Sequence, residues 1–225
     1  LFTEPLAVAL ATTTSGAEIR YTLDGSEPTA ASPRYTGPVE IGKSARFRAT
    51  ALREGGENAS YSREFAFSKS TGRPAVLNTK PNDSYTFEGA SLLVDGYHSR
   101  PVFTSGAWLG YLDEPLDVTI DMGGEQSYRS VELETLAEKG DWIFPPSSVT
   151  VWVSDNGTDF TEVASVAVPE AKAGDADGIG RYRMQFPETS ARYLKVVAQN
   201  AAAIPAWHPG AGSKGFLFVD EVVVE

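Results

Sequence analysis

The chain has no cysteine, so neither a disulfide framework nor a thiolate metal site can be built from it. That removes one marker of export without excluding export. Histidine is almost missing too: only His98 and His208 occur. His208 has no Ser, Cys or metal-ligand partner at a recognisable spacing, and no Gly-x-Ser-x-Gly elbow is present. No uninterrupted apolar run approaches the length of a membrane span. No basic cluster exists either. The formal charge is −11, and residues 1–70 carry 8 Lys/Arg against 8 Asp/Glu while residues 71–225 carry 11 against 22. Such a surface repels phosphate backbones and anionic headgroups, which argues against nucleic acid or a membrane as partner.

Helix signals are scarce, because no apolar i, i+3, i+4 pattern survives between the Gly and Pro residues. Strand signals fill the space. Ile19, Tyr21 and Leu23 alternate into Asp24-Gly25, a tight-turn dipeptide. "ARFRATAL" and "SREFAFS" alternate again, predicting a small sandwich that ends near Ser68. "SKSTGRP" lacks periodicity and predicts a linker. Beyond it, "LDVTIDMG" is expected to pair with "YRSVELETL" across Gly123-Gly124, and "SSVTVWVS" with "DFTEVASVAV" across Asn156-Gly157. With "GRYRMQF", "ARYLKVVAQ" and "GFLFVDEVVVE", these give about eight strands, suited to a jelly-roll-like sandwich. The reading is all-β, with domains at 1–70 and 71–225.

"IRYTLDGSEPTAASPRYTGPVEI" resembles the small immunoglobulin-like module at the C-terminus of chitobiases and β-hexosaminidases. The second part resembles discoidin domains, also known as coagulation factor V/VIII type C, the fold of family 32 carbohydrate-binding modules. "LLVDG", "VTIDMG", "VWVSDNGTDF", "ARYLKVVAQN" and "FLFVDEVVVE" carry that likeness. With "WIFPPSSV" and "IPAWHPGAGSKGFLFVDE", the whole resembles the tail of bacterial family 20 glycoside hydrolases, the β-N-acetylhexosaminidases. That family works through an Asp-Glu pair on an α/β barrel, and no barrel can be drawn from this chain. Because the chain opens inside what reads as a strand, it is expected to be a fragment whose catalytic domain lies upstream.

Asp220-Glu221 is the dipeptide most suggestive of acid-base chemistry. Neighbours on one strand point to opposite faces, whereas carboxylates acting on a glycosidic bond must converge about 5–10 Å apart. The expectation is one buried carboxylate, one at the surface, and no catalysis. The discoidin resemblance implies another role: a structural calcium held by Asp95, Glu221 and the first available hydroxyl, Ser99, with backbone carbonyls completing the shell. Trp152, inside "VTVWVS", reads as a packed strand residue. Trp108, Trp142 and Trp207 sit beside Gly, Pro or Asp, in loops. Loop aromatics of this kind can stack on sugars or plug the sandwich and dock another domain. Trp142, Trp207 and His208, with Trp108 joining them, are the expected carbohydrate site at one end of the second sandwich. Sequons occur at Asn58, Asn82 and Asn156.

The resemblance therefore implies a non-catalytic accessory region of a secreted, periplasmic or cell-surface glycan-degrading enzyme, with a hexosamine-containing glycan as partner. The alternative is architectural: both modules buttress the upstream catalytic domain and bind no glycan. A free-standing enzyme ranks last, for want of a convergent catalytic set.

Overall fold

The computed structural model describes residues 2–53, 59–65 and 67–225; the sequon at Asn58 lies outside them. The chain divides into two compact units, 1–68 and 69–225. Each is built of antiparallel sheet. No described helix is long and apolar enough to cross a membrane.

In the first unit, β1 (Leu6–Val8) pairs with β3 (Val39–Ile41), while β2 (Glu18–Thr22), β4 (Ala45–Leu52) and β5 (Ala59–Phe65) form a three-stranded sheet in the order β2-β4-β5. The alternation in "ARFRATAL" places Phe47 and Ala49 inward, against Val39 and Ile41. Gly25 adopts φ 84°, as the Asp24-Gly25 turn requires.

The second unit is a seven-stranded system: β6 (Ala75–Leu77), β7 (Leu109–Tyr111), β8 (Leu116–Ala137), β9 (Ser148–Ser154), β10 (Thr161–Ala167), β11 (Gly178–Gln199) and β12 (Leu217–Val224). The strand order is β10-β9-β11-β8-β12-β7, with β6 added on β8. One expectation fails here. "LDVTIDMG" and "YRSVELETL" do not form a hairpin across Gly123-Gly124. They are two halves of β8, and both pair with β11: Val118 opposite Val196, and Leu133 opposite Tyr182. Gly123, at φ 78°, bends the strand rather than reversing it. Alternation and a Gly-Gly pair signal a strand break equally well for a turn and for a corner, which is why the sequence misleads. The Asn156-Gly157 hairpin does form, with Gly157 at φ 75° and Asn156 Oδ1 accepting from the Thr158 and Asp159 amides.

The inward faces of β8, β9, β11 and β12 supply one core that includes Val118, Ile120, Leu133, Val151, Leu194 and Val222. "SKSTGRP" proves tightly bound. The Lys69 amide donates to the Val224 carbonyl (2.8 Å), Ser70 Oγ to Val222 O (2.5 Å) and the Gly72 amide to Val94 O (2.7 Å). The segment is held on β12 and on Val94 through backbone carbonyls, which leave no periodic signature in side chains.

Candidate functional site

Three long loops gather at one end of the second unit: 138–147 between β8 and β9, 168–177 between β10 and β11, and 200–216 between β11 and β12. Each crosses a single intervening strand, and the ends they join lie side by side, with Ser148 opposite both Ala167 and Gln199 and Ala137 opposite Gly178; the Ser147 amide donates to Gln199 O, and the Val168 amide to Ser147 O. His208 lies in the middle of this cluster. Trp142, Phe144 and Trp207 surround its ring edge-on, with centroids at 5.9, 5.5 and 5.6 Å. Trp142 and Trp207 are 42% and 40% exposed, so two indoles flank a buried imidazole.

Local chemistry explains the placement. Trp142 caps the turn Lys139–Asp141 at φ 65°, ψ 26°, a left-handed conformation that a bulky residue enters only at a cost of about 1–3 kcal/mol. Its amide donates to Lys139 O at 3.0 Å. A Cβ on Gly210 would stand 2.8 Å from the Trp142 ring, so only glycine lets that ring lie over the backbone there. Trp207 is steered by its indole N–H, which donates to Ala171 O at 2.9 Å. Beside Trp207 runs a groove of about 400 Å³ lined by Phe144, Pro145, Val168, Ala171, Ile204 and Pro205.

Two of the expected sugar contacts do not have the surface they need. Trp108 is fully buried, packed with Leu136, Ile143 and Phe218, and its indole N–H donates to Arg100 O at 3.0 Å. It presents no face to a ligand; it is core. His208 is 8% exposed and both ring nitrogens are engaged: Nδ1 accepts from the Gly210 amide (3.0 Å), leaving Nε2 to donate to Lys139 O (2.9 Å). It supports the indoles from beneath. Trp152 is a partly buried residue of β9, with the Lys195 ammonium 5.6 Å from its ring centroid. Sequence reasoning missed Lys139 and Asp177, whose ion pair joins two of the loops. Nothing in their spacing announces it.

The acidic residues form a second constellation. Asp220 and Glu221 are both buried, at 1% and 0% exposure, against the expectation that one would reach the surface. The cause is a bulge: Val219 faces Thr135 but Val222 faces Leu133, so β12 spends three steps where β8 spends two. Strand alternation is lost there, and both carboxyls turn to the segment after Val94. Glu221 Oε2 accepts from the Gly96 amide (3.3 Å) and Asp220 Oδ2 from the Ser99 amide (2.8 Å). Burial pushes Asp220 up to about 7. Burial, then the nearby Asp95 and Asp220 charges, push Glu221 up to about 9. Asp220 Oδ1 and Glu221 Oε1 are buried without a hydrogen-bond partner. Ser99 Oγ turns the other way and donates to Ala107 O at 3.3 Å. Among the described residues no group of three or more His, Asp or Glu is arranged to hold a metal ion.

Beside this set, Glu134 is buried and bound by Arg181 Nε (2.8 Å) and His98 Nδ1 (3.0 Å). Burial raises its pKa, but the two cationic partners outweigh that and hold it below the usual carboxylate range.

Residues 1–63 match the family model described as the chitobiase/beta-hexosaminidase C-terminal domain, and residues 78–214 that of the F5/8 type C domain. A search of curated proteins found no match. Among solved structures, chitosan-binding module 1 of a chitosanase/glucanase from Paenibacillus sp. IK-5 is 17% identical. That alignment covers 70% of this chain and 98% of that one, with a TM-score of 0.44. A CBM32 module from Clostridium perfringens, in complex with GalNAc-β-1,3-galactose, is 16% identical over 67% of this chain and 93% of that one (TM-score 0.45). A Streptococcus pneumoniae fucose binding module is 22% identical over 70% and 93% (TM-score 0.44). The F5/8 type C match spans more than half of the chain, and the chain belongs to the F5/8 type C domain family.

Proposed function

We propose that the second unit is a glycan-binding accessory module of a secreted or cell-surface glycan-degrading enzyme, a β-N-acetylhexosaminidase by its sequence resemblance. The observation that carries the reading is the pair of half-exposed indoles, Trp142 and Trp207, held rigidly over buried His208. Backbone strain at Trp142 persists because surrounding bonds fix it, and strain of this kind clusters at ligand sites. A hexosamine-containing glycan stacks its apolar face on the indoles. Affinity is low because an open face buries little of the sugar, and low affinity suffices where tethering raises the substrate concentration near a catalytic domain. Glycan-array binding by the full chain, lost in Trp142→Ala and Trp207→Ala with the melt nearly unchanged, is the expected result.

A second reading is favoured by the groove beside Trp207. Its wall is mostly proline, alanine and other apolar residues; Glu170 is its one charged residue, and its one hydroxyl, Ser147 Oγ, already donates to Asn200 O at 2.8 Å. Such a surface suits a neighbouring protein domain better than a hydroxyl-rich sugar. Under that reading the array shows no binding.

A calcium ion at Asp95 and Glu221 belongs to the same proposal. What supports it is the pair of orphaned buried oxygens, Glu221 Oε1 and Asp220 Oδ1, in a place crowded by three carboxyls. A divalent cation supplies the charge that lets Asp95 and Glu221 ionise together. Backbone carbonyls complete the shell, and Ser99 joins only if its hydroxyl leaves Ala107 O.

A further inference from the structure

Lys139 is the only Lys or Arg side chain that is buried among the described residues. Its ammonium donates to the Asp177 carboxylate and to the Asp175 carbonyl (2.8 Å). Its amide donates to Asp177 Oδ1 (3.1 Å), and its carbonyl accepts from the Trp142 amide (3.0 Å) and from His208 Nε2 (2.9 Å). One residue thus bonds to its own loop and to both of the others that build this end of the unit. Trp142 comes from the first loop and Trp207 from the third, and the Trp207 indole N–H bonds to the second.

Stability does not explain this lysine. Asp177 is half exposed, so its pairing is screened. Desolvating the ammonium offsets most of the attraction, and a buried ion pair is often no better for stability than apolar residues of the same volume. What the pair supplies is registry for the second loop, 168–177, none of whose residues is buried, against the apolar first and third loops. We propose that Lys139 is a positioning residue whose clasp sets the relative placement of the Trp142 and Trp207 rings, so that the face is formed before a glycan arrives. The functional half rests on the glycan reading above.

The full chain, labelled with nitrogen-15 on its indoles, tests this with chitotriose as probe. Lys139→Met keeps the volume and all backbone bonds and removes only the ammonium. The expected result is a melt within a few degrees of wild type, and Trp142 and Trp207 indole resonances that broaden or multiply while those of Trp108 and Trp152 stay sharp. Chitotriose binding then weakens about 10-fold, because the ring and loop ordering must now accompany binding. Asp177→Ala should reproduce the pattern; each variant removes the shared ion pair plus one bond of its own (ammonium to Asp175 O, or Lys139 amide to Asp177), so the double variant should fall short of the sum of the two single effects. If Lys139→Met does not fold, Asp177→Ala carries the test alone. Unchanged indole resonances overturn the clasp. Loosened indoles with unchanged affinity overturn the positioning role only. A wild type that binds no chitotriose, or a Trp142→Ala variant that binds it normally, overturns the glycan reading and this inference with it.

Discussion

Trp108 and Trp142 look alike in sequence, and truncating each should separate core from surface. Trp108 is fully enclosed by Leu136, Ile143 and Phe218, and its N–H satisfies the Arg100 carbonyl. Trp108→Ala removes the largest side chain from that cluster and leaves a cavity, a change that costs about 3–5 kcal/mol. The Arg100 carbonyl still accepts from the Val102 amide at 2.7 Å, so losing the indole N–H adds no separate penalty. For a unit of this size each kcal/mol lowers the melting temperature by roughly 2–4 °C, so the melt should fall by about 6–20 °C. Trp142 keeps 42% of its surface in water and leaves no closed cavity when truncated, so Trp142→Ala should cost clearly less. Tryptophan fluorescence is the assay, because all four Trp lie in the second unit and three remain in either variant. A Trp108→Ala melt within 3 °C of wild type, or a larger drop for Trp142→Ala, would refute the reasoning.

Without calcium, the raised pKa of Glu221, about 9, means that the folded chain keeps a proton which the unfolded chain releases above about pH 4.5. Stability should therefore fall as pH rises across that window, and His98, raised by its bond to Glu134, tilts the same way near neutrality. Added calcium should raise the melt most at alkaline pH, through mass action on the folded state; Asp95→Ala should abolish the gain, and an unchanged wild-type melt with and without chelator would sink the site. A chain beginning at Lys69 should melt higher than one beginning at Pro74, since the latter lacks the bonds from Lys69, Ser70 and Gly72 to β12 and Val94; equal melts would show that those bonds contribute nothing. Gly210→Val should displace the Trp142 ring, which lies 2.8 Å from the Cβ position, and should abolish glycan binding with a modest loss of stability, checked by array binding and fluorescence melts together.

What was legible in the sequence divides along a physical line. Alternation reads which residues face a core, so the β-sandwich class and the strands of "ARFRATAL" and "SSVTVWVS" could be read directly. Alternation cannot read where it is broken. The bulge at Asp220-Glu221 inserts one residue with no local marker, and it is this insertion that buries both carboxyls beside Asp95. Gly123-Gly124 carries the composition of a turn and serves as a corner. Exposure of a loop aromatic is equally silent, because it depends on what the loop is packed against. Trp108 and Trp142 both precede an aliphatic residue in a Gly-containing stretch, yet one seals a cluster beneath the loops and the other stands over a glycine. The residue that tells them apart is Gly210, distant in sequence from both. Its role is steric: where a backbone must lie flat under an indole, only a missing Cβ permits it. A site made of loops is therefore written in pairs of residues remote from one another, such as Trp142 with Gly210 and Lys139 with Asp177, and such pairs become visible only once the strands have brought the loops together.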